Sequence, residues 1–288
     1  MAVDTLQEKI RKMKNPSMLE LALPLCDLPP QFSRDASGYG SFCRELLDGL
    51  KETVPAVRVS FAAFALLGSA GMAELEQTLA AAGELGYYVV LDAPEIASPM
   101  MAKATAEALL GESSRFSCDG LVISGYAGSD VINPFLPYCK KPQKDIFVIT
   151  RTANKSAPEL QDLLAGGRLV HAAAADHVNR YGQETAGKSG YTRVGILAAA
   201  SSAESLRSLR AKYPKLFFLV DGYDYPNANA KNCSFGFDKF GHGAVVCGGT
   251  GITCAWKDAE TDGEGYLDQA KQAADRMKKN LTRYVTVL

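Results

Sequence analysis

Short runs of β-branched and aromatic residues recur along the chain, and each run precedes a longer segment with the period of an amphipathic helix. This alternation is typical of repeated strand–helix units. The pattern predicts eight strands, at 18–23, 56–61, 87–92, 120–124, 145–150, 193–198, 215–220 and 243–247. It predicts helices at 39–52, 71–85, 99–110, 130–139, 158–185 with a break near Gly166 and Gly167, 203–212 and 266–281, with Ser129 and Ser202 as N-caps.

Eight such units predict one closed (β/α)8 barrel of the TIM type, an α/β fold that takes up residues 1–288 as a single domain. No Pro/Ser-rich linker and no block of like charge divides the chain. An amphipathic segment at 5–13 predicts an extra N-terminal helix that closes the bottom of the barrel. The alternative, an open doubly wound sheet, would need a Gly-x-Gly-x-x-Gly turn after its first strand, and the sequence has none there.

Composition and charge narrow the classes of partner. The 31 basic residues balance the 32 acidic ones and form no long basic run, so nucleic acid is not an expected partner. The charged N-terminal segment lacks an apolar signal core, and no segment approaches the ~18 apolar residues of a membrane-spanning helix. We therefore expect a cytoplasmic protein that does not bind a membrane.

The cysteine and histidine positions favour no metal site. The seven cysteines show no Cys-x-x-Cys spacing, and the three histidines are not separated by the three or four residues that place two ligands on one helix face. Reduced, mostly buried thiols are the expected state of the cysteines.

Chemistry in a barrel of this type is carried by the loops that follow the carboxyl ends of the strands. Gly248, Gly249, Thr250 and Gly251 follow the eighth strand, and their backbone N–H groups form a candidate phosphate-binding loop. The loop at 221–227 carries two acids and two tyrosines, which suit an amine, a sugar or a protein surface better than a phosphate.

Several segments, taken in chain order, resemble the orotidine 5′-monophosphate decarboxylase family, in particular its longer bacterial branch. The matching segments are 128–130 with 134–136, FVITRTAN at 147–154 with ELQDL at 159–163, and 218–220 with 222–223. The opening segments LQEKI at 6–10 and KNP at 14–16 also resemble that family. Because the matches run in order over nearly the whole chain, they are more specific than any single motif.

The resemblance implies a reaction that this sequence does not support. That family removes carbon dioxide from a pyrimidine nucleotide with no metal or organic cofactor, through a network of Lys, Asp, Lys and Asp. The last three lie in a strand-three motif, Asp-x-Lys-x-x-Asp. Here Asp92 is retained, Pro94 stands at the position of the proton-donating lysine, and Ala97 stands at the second aspartate. Arg58 takes the place of the remaining lysine.

The nucleotide-binding positions are altered as well. Ala22 corresponds to the ribose-binding aspartate, Thr250 replaces an arginine at the phosphate end, and residues 224–227 replace a glutamine-bearing loop. A charge-assisted contact to phosphate contributes ~1.5–3 kcal/mol, so orotidine monophosphate is expected to bind poorly.

The resemblance also implies a set of site residues. Asp92 and Arg58 are the candidate catalytic residues, as remnants of the charged network, and Glu95 is an alternative for the missing carboxylate. The candidate substrate-binding residues are Arg151, Thr152, Asn154, Gly222 and Tyr223. For the first three of these, the alternative is that they stabilise the barrel and a dimer interface.

Three functions remain open on these observations. The first is a paralogue without decarboxylase activity that acts as a partner or regulatory subunit. The second is a barrel lyase or isomerase with a changed substrate. The third, active orotidine monophosphate decarboxylation, requires a replacement proton donor. Because the family dimerises with its active sites at the interface, the resemblance implies a homodimer, or a heteromer with an active member, and a nucleotide or another small anion as ligand.

Overall fold

The computed structural model describes residues 2–141, 143–223, 225–226, 228–259 and 262–287. Its strands are β1 (Ser17–Leu21), β2 (Ala56–Ser60), β3 (Tyr88–Asp92), β4 (Gly120–Ser124), β5 (Asp145–Arg151), β6 (Leu164–Ala165), β7 (Arg168–Leu169), β8 (Thr192–Ala199), β9 (Leu216–Asp221) and β10 (Ala244–Gly248). Its α-helices are α1 (Ala2–Met13), α2 (Ala36–Leu50), α3 (Phe61–Ala65), α4 (Gly68–Glu84), α5 (Pro99–Leu110), α6 (Leu136–Lys140), α7 (Pro158–Gln161), α8 (Val170–Gly182), α9 (Ala203–Lys212), α10 (Ala230–Ser234), α11 (Thr250–Thr253) and α12 (Tyr266–Thr282).

Eight parallel strands close into a barrel, which confirms the predicted fold class. The order around the barrel is β1-β10-β9-β8-β5-β4-β3-β2, and β1 pairs with both β10 and β2. All the predicted barrel strands are present, with ends that differ from the predicted ones by a few residues. In the described part of the chain, no helix combines the length and the apolar character needed to cross a lipid bilayer.

Side chains alternate along each strand, so that one set fills the barrel and the other packs under the helices that surround it. In each strand one set of side chains faces the lumen and the other faces the helices. Tyr88, Phe147 and Phe217 fill the lumen, and the two phenylalanine rings meet edge to face. Full burial of one such side chain contributes ~1.5–3 kcal/mol, so this core holds the strand ends in place beneath the barrel mouth.

The N-terminal helix closes the bottom of the barrel, as predicted. α1 begins at Ala2, and its apolar side chains Leu6 and Ile10 pack against the lumen core. The Asp4 carboxylate accepts hydrogen bonds from the backbone N–H groups of Lys188 and Ser189, which join α1 to the turn before β8.

The helix predicted at 158–185 is interrupted near Gly166 and Gly167, as predicted, but the helical segments on either side are shorter than predicted. Residues Pro158–Gln161 form only the short helix α7, and β6 and β7 then form a hairpin before α8 begins at Val170. Gly166 and Gly167 both have positive φ, 58° and 78°, as a two-residue hairpin turn of type I′ requires. Two adjacent glycines therefore turn the chain back on itself.

The predicted helix at 130–139 and its cap are also corrected. Two 3₁₀ turns occupy most of this segment, and the α-helix α6 begins only at Leu136. Ser129 lies within the first of these turns and is not an N-cap. Ser202 does lie at the N-cap of α9, but its hydroxyl bonds the Ser205 hydroxyl rather than a backbone N–H.

Asp145, at the start of β5, is a fully buried carboxyl group. Its Oδ2 accepts a hydrogen bond from the Tyr88 hydroxyl, while its Oδ1 has no hydrogen-bond partner. Burial raises the pKa of Asp145 well above the ordinary carboxyl value. Ionisation of this side chain is therefore harder in the folded protein than in the unfolded chain.

We predict that Asp145→Asn stabilises the protein at neutral pH. Because the pKa of Asp145 is raised by folding, its favourable contribution is complete below the ordinary carboxyl pKa of ~3.9 and is lost as the pH rises. An amide is neutral at every pH, so the variant should gain roughly 1–3 kcal/mol at pH 7 and lose this advantage towards pH 4. Urea unfolding at both pH values measures the difference.

The exposed Asp275 on α12 supplies the control. Asp275→Asn should change the free energy of unfolding by less than ~0.5 kcal/mol at either pH. A less stable Asp145→Asn variant at pH 7 would show that an ionised Asp145 stabilises the fold.

Candidate functional site

Four charged side chains from one side of the barrel meet at its mouth. Glu20 in β1 lies opposite Arg58 in β2 in the strand register. Asp92 ends β3, and Asp221 ends β9. Because alternate residues of a barrel strand face the lumen, the carboxyl ends of these strands carry all four side chains inward above the apolar core.

Arg58 lies at the centre of this group. Its Nε donates to Asp92 Oδ1 at 2.8 Å. Its Nη1 lies 3.2 Å from Glu20 Oε1 and 3.3 Å from Asp221 Oδ1. The structure thus places the two candidate catalytic residues, Asp92 and Arg58, in direct contact and adds two further carboxylates. We call these four residues the mouth cluster.

The mouth cluster has three acids for one base. Burial disfavours the charged guanidinium, but the three carboxylates outweigh it and raise the pKa of Arg58 well above its ordinary value. Burial raises the pKa of Asp92, and the adjacent Arg58 only partly offsets this effect. Within the described residues, no group of three or more His, Cys, Asp or Glu side chains is arranged to hold a metal ion.

A cavity of about 460 Å³ opens at the mouth cluster. Glu20 and Asp221 give this mouth cavity an acidic floor, and Cys247 lies beside them. Burial raises the pKa of the Cys247 thiol well above its ordinary value, so this thiol is not a nucleophile at neutral pH. The wall of the cavity includes Ala22, Leu23, Gly222, Tyr223, Tyr225, Pro226, Gly249, Thr250 and Thr253.

The loop after β3 holds no replacement for the missing lysine and aspartate. Ile96 is buried and anchors the loop, whereas Glu95 is exposed. Glu95 has no ion pair among the described residues and does not join the mouth cluster. Ser98 then caps α5 by accepting a hydrogen bond from the Met101 backbone N–H.

The candidate substrate-binding residues of the β5 loop bind α7 and the segment after it. Arg151 donates to both carboxylate oxygens of Asp162, from Nε at 2.9 Å and from Nη2 at 3.0 Å. Thr152 exchanges hydrogen bonds with the Gln161 side chain, and its hydroxyl also reaches Asn154. Their role in substrate binding stays a prediction, since these contacts join the barrel to α7.

The β9 loop places Gly222 and Tyr223 at the mouth cavity. Gly222 has φ of 83°, and a Cβ on it would lie 2.7 Å from Ala153 Cβ, so the position needs glycine. The Tyr223 hydroxyl accepts a hydrogen bond from Asn280 at 3.4 Å. Asp224 and Asn227, which belong to the predicted acidic loop, lie outside the described residues.

The candidate phosphate loop is only partly at the mouth. Gly249 and Thr250 border the mouth cavity, whereas Gly251 borders a separate cavity on the outer side together with Arg276. Gly248 packs against Met277, because a Cβ there would lie 2.6 Å from Met277 Sδ. None of these four residues supplies a charged side chain to an anion.

The sequence analysis missed Glu20. It is the only charged residue of β1, and it lies between Leu19 and Leu21, which face the helices. A lone acid at an inward position of an apolar strand is the signal that identifies it. Its role in neutralising Arg58 becomes evident only from the pairing of β1 with β2.

We predict that Arg58→Gln destabilises the protein in a pH-dependent way. Removal of the guanidinium leaves three partly buried carboxylates without their common counter-charge, at a cost of roughly 3–5 kcal/mol at pH 7.5. Repulsion among these carboxylates favours the uptake of protons by the folded variant, so its stability should recover as the pH falls towards 5. Urea unfolding at both pH values measures this effect.

A surface ion pair is the matched control. Arg115 contacts Glu76 with most of its side chain exposed, and Arg115→Gln should cost less than ~1 kcal/mol. An equal loss for Arg58→Gln at pH 7.5 and pH 5 would contradict the electrostatic explanation.

Comparison with known proteins identifies relatives over the length of the chain. No profile of a known protein family matches it. The orotidine 5′-phosphate decarboxylase of Rhodopirellula baltica is 30% identical over 277 residues, which cover 93% of this chain and 92% of that protein. The enzyme of the same name from Clostridium acetobutylicum is 28% identical over 293 residues, 98% of this chain and 99% of that protein.

Solved structures share the fold. The putative orotidine 5′-phosphate decarboxylase from Streptomyces avermitilis superposes with a TM-score of 0.81 at 24% identity and covers 99% of this chain and 97% of that one. The putative orotidine-monophosphate-decarboxylase from Toxoplasma gondii gives 0.79 at 23%, with 96% and 98% covered. With the sequence relatives, these observations lead to one conclusion: the chain belongs to the orotidine 5′-phosphate decarboxylase family.

Proposed function

We propose that this family member does not decarboxylate orotidine monophosphate and acts as a partner or regulatory subunit of a decarboxylase of the same family. The observation that carries the proposal is Pro94, which stands where the family resemblance places the proton-donating lysine. Decarboxylation leaves a carbanion that must take up a proton. The proline side chain has neither a charge to stabilise the carbanion nor a proton to give.

Arg58 does not replace the missing acid. It is the cation of the mouth cluster, and its raised pKa means that it holds its proton more tightly than an ordinary guanidinium. The loss of a positioned general acid typically lowers a rate by ~10²–10⁴-fold. Ala97 removes a carboxylate from the network in addition, so the loss should be larger.

The negative charge of the mouth cluster also disfavours the binding of orotidine monophosphate. Orotidine monophosphate carries a carboxylate and a phosphate, whereas the floor of the mouth cavity presents Glu20 and Asp221. Two like charges about 4 Å apart near a protein surface repel by roughly 4 kcal/mol. Thr250 offers no compensating charge at the phosphate end.

Exposed apolar side chains beside the mouth support a role as a subunit. Leu66 after β2 is 78% exposed, and Met100 after β3 is 80% exposed. These side chains follow neighbouring strands, and exposed apolar patches mark protein interaction sites. We propose that this face mediates a homodimer when the chain is alone and a heteromer when an active family member is present.

A second candidate function is catalysis on a different substrate. The observation that favours it is that Arg58 joins Asp92 to Glu20 and Asp221, which line the mouth cavity. Burial raises the pKa of Asp92, and a carboxyl group with a raised pKa near a cleft suits proton transfer. The acidic floor then selects a substrate that is neutral or cationic rather than a nucleotide.

We predict that the purified protein shows no orotidine monophosphate turnover above the uncatalysed rate. Pro94→Lys alone should not restore it, because Ala22, Ala97 and Thr250 remain. Uridine monophosphate should give no heat of binding up to ~1 mM in calorimetry. The turnover assay follows absorbance, and an active family member in the same assay is the positive control. Turnover by the natural chain that Asp92→Ala abolishes would refute the proposal and show that another acid donates the proton.

We predict that the chain exchanges subunits with an active decarboxylase from the same organism. Native mass spectrometry of the mixture should show a heterodimer, and Leu66→Asp should reduce it at least ~10-fold, since one exposed leucine contributes ~1.5–3 kcal/mol when buried. Tyr284→Asp is the control, because Tyr284 is 55% exposed and lies beside the β9 loop and α10. If the mixture contains homodimers and no heterodimer after full exchange, the partner role is contradicted.

A further inference from the structure

A cavity of about 410 Å³ lies outside the barrel, between α10 and the end of α12. We call it the α10–α12 cavity. Its charged lining residues are Lys231 of α10 and Arg283, which follows α12. Among the described residues that line it, none is acidic. The α10–α12 cavity shares no residue with the candidate phosphate loop at 248–251, so it is a different site from the one that the family resemblance implies.

The outer cavity that Gly251 borders adjoins the α10–α12 cavity and has a volume of about 160 Å³. Tyr223 and Asn280 line both cavities, and Arg276 adds a third cation. The described lining of the outer cavity contains no acid either. The two adjoining cavities therefore present three cations and no described carboxylate.

The helical spacing of α12 brings these side chains together. Arg276, Asn280 and Arg283 are separated by four and three residues, and residues at these separations are neighbours on one helix surface. This row lies beside the buried face of the helix, to which Ala273 and Met277 belong. With a rise of ~1.5 Å per residue, the two arginines are roughly 10 Å apart along the helix axis.

The three cations are not neutralised by the described part of the chain. Lys231, Arg276 and Arg283 are exposed, and none of them forms an ion pair with another described residue. The mouth cluster is the opposite case, since three carboxylates surround Arg58 there. A concave surface lined by one sign of charge raises the local concentration of ligands with the other sign. These two cavities therefore favour an anion.

Neutral side chains of the α10–α12 cavity suit a phosphate ligand as well. The Asn229 side-chain oxygen caps α10 by accepting a hydrogen bond from the Asn232 backbone N–H at 2.9 Å. The amide NH2 group of Asn229 is a further donor in the lining. Tyr284 is 55% exposed and lines the same cavity, where its ring offers an aromatic face to the organic part of a ligand.

We propose that the α10–α12 cavity and the outer cavity together bind the di- or triphosphate group of a small ligand, with Lys231 and Arg283 at one end and Arg276 at the other. A chain of phosphates spreads its charge over this length, whereas one phosphate would have to draw all three side chains to one point. The mouth cavity does not compete for such a ligand, because Glu20 and Asp221 repel it. The proposal goes beyond the proposed function and does not depend on it.

Calorimetric titration with inorganic triphosphate, without divalent metal, tests the site. We expect a dissociation constant of roughly 0.1 mM and at least ~10-fold weaker binding of inorganic monophosphate. Lys231→Gln, Arg276→Gln and Arg283→Gln should each weaken triphosphate binding at least ~10-fold, because each removes one charge-assisted contact. The three variants should unfold at the same temperature as the natural chain, since the substituted side chains are exposed.

Lys278→Gln is the matched control. It changes the net charge by the same amount, but Lys278 lies ~200° around the helix axis from Arg276 and lines neither cavity. At 0.15 M salt, charges more than ~8 Å apart are largely screened, so triphosphate binding should change less than ~2-fold. An equal loss for Lys278→Gln would show that triphosphate responds only to overall charge, and would refute the site.

Thr250→Asp separates this site from the candidate phosphate loop. It adds a carboxylate at the mouth cavity, so a triphosphate bound there would be repelled. We expect triphosphate binding to change less than ~2-fold, because Thr250 does not line the α10–α12 cavity or the outer cavity. Binding that Thr250→Asp weakens and Arg283→Gln does not would place the triphosphate in the mouth and refute the proposal.

Two further probes distinguish the sources of a phosphate chain. Adenosine triphosphate should bind at least as tightly as inorganic triphosphate, because its base can stack on the Tyr284 ring. A single-stranded oligonucleotide should bind more weakly, because its phosphates are separated by sugars. Tighter binding of the oligonucleotide would refute a small ligand as the occupant. No heat with triphosphate up to ~1 mM would refute the site itself, whatever the turnover and subunit-exchange experiments show.

Discussion

Closure of the parallel sheet is the constraint on which the rest of this protein depends. It forces every second strand residue into one lumen, where large apolar side chains such as Phe147 and Phe217 exclude water. At the mouth the same alternation turns Arg58 inward, where a guanidinium needs counter-charges within reach. Three carboxylates, from β1, β3 and β9, supply these counter-charges. The stability of the barrel mouth depends on the attraction between them and Arg58.

These contacts hold the mouth of the family fold without the residues at positions 94 and 97. The barrel requires that its lumen be filled, which Phe147 and Phe217 do, and that the buried Arg58 have counter-charges, which the three carboxylates supply. The proposed loss of decarboxylation needs only that Pro94 and Ala97 replace two functional groups in a loop. Fold and reaction therefore depend on different residues of the same strands.

In the β5 loop, residues that match the family make contacts within the chain. Arg151, Thr152 and Asn154 carry part of the family resemblance. In this chain Arg151 and Thr152 bond Asp162 and Gln161, and Asn154 bonds Thr152 and Ser156 within the loop. These contacts fix the position of α7 and of the hairpin that follows it relative to the barrel.

The sequence by itself determined the strand–helix alternation, the closed barrel and the N-terminal helix, because these depend on short-range periodicity and on the number of units. It also placed Asp92 and Arg58 at strand ends. It did not reveal Glu20 as the partner of Arg58, and it did not show that the predicted break at Gly166 and Gly167 is a hairpin turn. Only the tertiary structure decided these points. Arg58 and Asp221 are 163 positions apart, and such groups meet only when the sheet closes and sets the register of its strands.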